Sequence, residues 1–260
     1  MKWLMITVLV GALMAPVRLA AGQATPALVR VAAASDLRFA LDEIVAAYRA
    51  KQPPARVEVT YGSSGTFHAQ ILQGAPFDLF LSADVTYPND LISKGKADRA
   101  TLFTYAIGRI VLWTPSSSPL DLGQGMRVLL DRRIRHVAIA NPLHAPYGKA
   151  AESAMRAAGV RDAVAAKLVL GENISQAAQF VDSGAADIGL IARSIALAPV
   201  MRAGGKYWEV PSTLHPLMEQ AGVILSSAAN RQAAAAFTTF LRSADSRALL
   251  TRYGFELPPG

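Results

Sequence analysis

The chain has 260 residues, 52% hydrophobic and 17% charged, with no cysteine and a formal net charge of +7. This composition excludes a disordered tail and a disulfide scaffold, and the length admits one large domain or two ordinary ones, each with a core that needs no staples. The mean hydropathy of +0.27 is raised by the first residues. Lys2 is followed by the apolar run Trp3 to Val17, then by Ala20-Ala21-Gly22-Gln23-Ala24 ahead of Thr25-Pro26. Residues 1–24 read as a secretory signal peptide cleaved after Ala24, with Ala21 as the alternative, and no later stretch reaches about 18 uninterrupted apolar residues. A soluble, periplasmic mature chain is expected. Loss of Lys2 and Arg18 with the signal lowers the formal charge from +7 to +5. The one dense basic patch, Arg132-Arg133-Ile134-Arg135-His136, has no interleaved aromatics, so no nucleic-acid partner is expected.

Short apolar strands alternate with amphipathic helices along the mature chain, the pattern of an α/β protein. Leu28 to Ala33 reads as a strand, and the next segment places Leu37, Leu41, Ile44, Val45 and Tyr48 on one helical face. Pro53-Pro54 ends that unit. Val57 to Tyr61 alternates as a strand, Gly62-Ser63-Ser64-Gly65 turns into a helix that stops at Gly74, and Asp78 to Ser82 is a strand buried on both faces. The pattern restarts near Ile107, with strands at 109–113, 136–140, 167–170 and 188–192 and helices at 148–158 and 174–182. A strand at 221–226, a helix from Ala229 to Leu241 and a terminal helix to Tyr253 follow. Residues 25–106 are expected to form the first part of one lobe, 107–208 a second lobe, and 209–260 a return to the first.

Four strand-to-helix junctions carry small residues and open backbone donors: Ala32-Ala33-Ala34-Ser35-Asp36, Gly62-Ser63-Ser64-Gly65-Thr66, Asn141 to Gly148, and Gly171-Glu172-Asn173-Ile174-Ser175. A helix N-terminus carries about half a positive elementary charge, so four that converge would match a dianion without a cationic side chain. Taken singly, Ser35 and Ser64 read as N-caps, the commoner use of such a serine. Two of them with Gly62 and Gly65, at strand ends facing a cleft between lobes, favour a ligand.

These residues resemble the periplasmic molybdate-binding proteins of ABC importers, within the type II solute-binding fold. The resemblance spans the mature chain. It rests on Val31 to Leu37, Tyr61 to Gly65, Gly74 to Asp84, Ile139 to Gly148 and Gly171 to Val181, in that order. It implies two lobes, each a mixed sheet flanked by helices, and an oxyanion held in the cleft by neutral donors. Carried onto this chain, the ligand-binding residues are Ser35 and Ser64, through hydroxyl and backbone donors, and the backbone N–H groups of Tyr147 and Ile174. No catalytic residue, direct metal ligand or cofactor is implied. The ligand is molybdate or tungstate, the partner an ABC permease in the inner membrane, and the protein a monomer. Some members place a tyrosine hydroxyl on the anion just after the strand that here ends at Ala192, and the Tyr147 hydroxyl is the candidate replacement. Fully deprotonated oxyanions suit an all-donor site, whereas a protonated phosphate also needs an acceptor. Asp36 and Glu172 are therefore expected to lie outside the anion shell.

The alternatives are a sulfate or other small-oxyanion binder of the same fold, with Arg38 and Lys149 as candidate cations for an organic anion, and a secreted hydrolase. Against the hydrolase, Gly62-Ser63-Ser64-Gly65 lacks the Gly-x-Ser-x-Gly form of a nucleophile elbow. His68, His136, His144 and His215 lack metal-ligand spacing, and no Walker or dinucleotide signature occurs.

Overall fold

The computed structural model describes residues 28–258. The expected signal peptide, 1–24, lies outside the described residues. Two five-stranded mixed sheets form the frame. The first contains β1 (Leu28–Ala34), β2 (Arg56–Gly62), β3 (Leu79–Ser82), β4 (Phe103–Gly108) and β10 (Met218–Ile224), in the order β2-β1-β3-β10-β4. The second contains β5 (Ile110–Pro115), β6 (Val137–Ala140), β7 (Leu168–Gly171), β8 (Ile188–Ala192) and β9 (Gly205–Glu209), in the order β7-β6-β8-β5-β9. In each sheet one central strand is parallel to two neighbours: β1 to β2 and β3, β6 to β7 and β8. One strand in each runs antiparallel to both of its neighbours, β10 and β5. The chain passes between the sheets twice, at Arg109 and through 210–217.

Helices α1 (Arg38–Lys51), α2 (Ser64–Leu72), α3 (Thr86–Ser93), α9 (Arg231–Leu241) and α10 (Ala244–Arg252) accompany the first sheet. Helices α4 (Pro146–Ala157), α5 (Arg161–Val164), α6 (Ile174–Asp182), α7 (Arg193–Ala196) and α8 (Pro199–Gly204) accompany the second. Successive strand residues face opposite sides of a sheet. Accordingly Val29, Val31 and Ala33 join one core with Leu37, Leu41 and Ile44 of the α1 face, while Ala32 joins Phe67, Phe80 and Val223 in another. Strand β3 is buried along its whole length, as its unbroken apolar run predicts. The second lobe has its own core around Trp113, Val137, Ile139 and Ile188.

Several elements depart from the sequence reading. Segment 84–106, left unassigned, contains α3 and β4, and β4 sits at the sheet edge, paired with β10 through an irregularity at Gln220/Ala221. Edge strand β9 opens with Gly205-Lys206, too polar a run to signal a strand by hydrophobicity. Strand β10 starts at Met218 rather than Ala221, because Glu219 is held by Thr104 across the pair and Gln220 is buried.

Candidate functional site

The C-terminal ends of β1, β2, β6 and β7 point into the space between the sheets, and a helix begins after each. The four predicted site residues, Ser35, Ser64, Tyr147 and Ile174, meet there, lining one small cavity of about 10 Å³. Asp36, Ser63 and Ala83 complete its polar side and floor. Helix α2 begins at Ser64, α4 has Pro146 in its first turn, and α6 begins at Ile174. The first N–H groups of a helix have no intrahelical acceptor, so Ser64, Tyr147 and Ile174 bring open backbone donors to the cavity wall.

Neither predicted serine is a cap. Ser63, one residue earlier than expected, caps α2 by accepting from the Thr66 N–H at 3.3 Å. Ser64 is fully buried, and its Oγ accepts from the Ala83 N–H at 3.0 Å. A hydroxyl carries one proton and two lone pairs, so that bond leaves the Ser64 proton to point at a ligand. Ser35 sits in a short 3-10 turn, Ser35–Leu37, that has no side-chain cap. Its Oγ donates to Asn173 Oδ1 at 3.1 Å and accepts from the Ser175 N–H at 3.3 Å, both on the other lobe. Ser175 Oγ donates in turn to the Ser35 carbonyl at 2.9 Å. The lobes are thus closed on each other, and Ser35 is one of the ties.

The Tyr147 hydroxyl does not stand in for a donor at Ala192. It donates to Asp36 Oδ2 at 2.9 Å and accepts from Gln220 Nε2 at 3.0 Å. Gln220 Nε2 also reaches Asp36 Oδ2, at 2.7 Å. Gly108, where β4 leaves the first sheet, makes room for this cluster: a Cβ there would lie 2.5 Å from the Tyr147 hydroxyl and 2.7 Å from Gln220 Nε2. The sequence reading did not single out Gln220. Its one signal was its place next to Glu219, immediately before the apolar stretch Ala221 to Leu225.

Asp36 contradicts the expectation that it lies outside the anion shell. It is 1% exposed and lines the cavity, because the 3-10 turn after β1 directs it inward rather than along a solvent-facing first turn. Its Oδ1 is buried with no hydrogen-bond partner. Burial pushes its carboxyl up to about 6, against the opposing donors Gln220 and Tyr147 and the backbone N–H groups of Asp36 and Leu37. A raised folded-state pKa means the folded protein holds the proton more tightly than the unfolded chain. The stabilising contribution is therefore complete below about pH 4 and lost as pH rises through about 6, a difference of roughly 3 kcal/mol. The isosteric Asp36→Asn variant is expected to melt several degrees above the parent at about pH 8, with the gap closing toward about pH 4. Calorimetric scans of the ligand-free proteins at the two pH values check this, and equal melting temperatures at high pH would refute it.

Glu172 does lie away from the cavity. Its side chain is 62% exposed at the cleft mouth, 3.6 Å from His144 Nε2, and accepts from Thr66 Oγ1 at 3.4 Å. His144 Nδ1 is 2.9 Å from Ser63 Oγ, and the His144 carbonyl accepts from the Gly65 N–H at 2.9 Å. The two candidate cations are elsewhere. Arg38 lines an outer groove, and Lys149 donates to the Tyr87 hydroxyl at 3.1 Å and lies over its ring. Among the described residues, the cavity lining contains no basic side chain, and no cluster of His, Asp and Glu suited to a metal ion occurs.

Two mixed sheets closed over a small cavity ringed by helix starts define a solute-binding protein of the two-lobed class. The profile described as "Bacterial extracellular solute-binding protein" matches residues 29–256, and the chain belongs to that family. It is similar to the molybdate-binding protein ModA of Rhodobacter capsulatus, with 38% identity over 76% of this chain and 77% of the relative. It is also similar to ModA of Azotobacter vinelandii, with 36% identity over 90% of this chain and 92% of the relative. The solved structure of the Azotobacter vinelandii periplasmic molybdate-binding protein superposes with a TM-score of 0.83 at 33% identity, covering 89% of this chain and all of that one.

Proposed function

We propose that this protein captures molybdate between its lobes in the periplasm and delivers it to an ABC permease of the inner membrane. It acts as a binding protein, not an enzyme, and the mature form is a monomer released by cleavage of the 1–24 signal. Among the described residues no helix is long and apolar enough to cross a membrane. The observation that carries the reading is the meeting of Ser35, Ser64, Tyr147 and Ile174, at four helix starts, around one cavity lined without a basic side chain. Aligned peptide dipoles and orphan N–H groups there favour an anion. Molybdate offers only acceptor oxygens at neutral pH, and tungstate shares its charge and shape, so both fit donors alone. The residue at the first crossing, Arg109, and the second crossing, 210–217, are the places where the lobes would hinge open for entry.

Titration calorimetry of the purified mature protein is expected to give tight one-to-one binding of molybdate and tungstate. A sulfate response as strong as that for molybdate would move the assignment to a sulfate binder of the same fold.

A further inference from the structure

An all-donor site is inconsistent with an ionised carboxylate in its wall. Asp36 lines the cavity, is almost wholly buried, and has one oxygen, Oδ1, without a partner. The other oxygen is engaged by Tyr147 and Gln220. An ionised Asp36 would face a dianion across a dry gap, where Coulomb repulsion is screened far less than in water. It would also present an acceptor to a ligand that has only acceptors.

On the reading that the site captures molybdate, we propose that Asp36 is protonated in the loaded protein and that its Oδ1–H donates to an anion oxygen, so that each molybdate is taken up with one proton from solvent. No bond to the metal centre forms or breaks. The proton turns the conflicting wall residue into a further donor. The wall is already biased in this direction, since burial outweighs the donors around Asp36 and holds its carboxyl at about 6, and a nearby like charge raises a carboxyl further.

The groups that pack against Asp36 leave no competing source of the effect. Tyr147 of α4 and Tyr105 of β4 are both pushed well above the ordinary tyrosine range by burial and by Asp36 itself, and stay neutral. Gln220 of β10 does not titrate, and Ser194 of α7 donates to the Asp36 carbonyl at 2.8 Å. Arg193 of α7 is occupied by Glu209, Glu256 and the Gly254 carbonyl. Arg38 of α1 and Asp182 of α6 line the outer groove. His144 and Glu172 face each other at the cleft mouth rather than Asp36.

The test is calorimetric titration with sodium molybdate at about pH 8, in two buffers of different ionisation enthalpy, with affinities measured from about pH 7 to 9. The wild type is expected to take up close to one proton per molybdate and to lose affinity about tenfold per pH unit. Asp36→Asn, which keeps a donor at that place, is expected to bind with no proton uptake and a flat profile. Wild-type binding with no proton uptake and a flat profile would overturn the proposal without any variant, leaving the molybdate reading intact. An Asp36→Asn protein that keeps the wild-type slope would also overturn it, by moving the proton to another group. Absence of molybdate heat from the wild type in both buffers would instead overturn the functional reading and this proposal together.

Discussion

Gly65→Ala is expected to weaken molybdate binding tenfold or more while leaving the ligand-free protein as stable as the parent or slightly more so. Gly65 lies in the first turn of α2 with no positive φ, so alanine suits its backbone and raises helix propensity by up to about 1 kcal/mol. The larger cost arises on closure; within its own lobe the Cβ would meet the Tyr87 hydroxyl at 2.9 Å, the end of a flexible side chain that can give way. A Cβ at Gly65 would lie 2.5 Å from the His144 carbonyl oxygen and 2.9 Å from its Cα, both on the opposite lobe. Backbone cannot be displaced like the end of a flexible side chain, and forced overlap of this kind typically costs about 1–3 kcal/mol. The Gly65 N–H bond to that carbonyl would be stretched as well. Calorimetric affinities and melting curves of the empty protein check the two halves. An unchanged dissociation constant would mean that the loaded protein does not bring His144 against Gly65.

Ser64→Ala is expected to lower both affinity and stability, and by more than the other serines of the cleft. Loss of its hydroxyl would remove a charge-assisted bond to the anion, about 1.5–3 kcal/mol. It would also strand the buried Ala83 N–H, at about 1–3 kcal/mol of folding stability. Neighbouring Ser63 supplies the contrast. Ser63→Ala removes an N-cap and should cost about 1 kcal/mol of stability, with a small effect on affinity. A Ser64→Ala protein that melts lower but binds normally would restrict Ser64 to holding β3 against α2.

Much of the frame was legible because its signals are local. The α1 face of Leu37, Leu41, Ile44, Val45 and Tyr48 is buried as its 3.6-residue spacing predicts, and β1, β3, β6 and β8 are apolar runs between turn residues. The helix starts at the site were legible for the same reason: glycine, serine, asparagine and proline at a strand end announce a turn into a helix. Strand β9 was missed because none of its residues is buried and its hydrophobic signal is diluted; that reason does not extend to β4, which has no exposed residue.

The polar details of the site were not legible, and the two serines show why. A serine at a helix start has the same local sequence whether it caps the helix or serves another element. Ser63 and Ser64 are adjacent, yet one caps α2 while the other holds the backbone of Ala83. The direction of Asp36 likewise depended on a turn type and on two partners far along the chain, 111 and 184 residues away.

The sequence by itself determined the class of protein: two α/β lobes, four donor-bearing helix starts and a family pattern running through all of them, each encoded within a few residues of chain. Only the tertiary structure decided which hydroxyl is free, which is spent across the cleft, and that a carboxyl stands in the cavity wall. Those outcomes follow from hydrogen-bond partners on the other lobe and from burial, and both exist only once the lobes have closed.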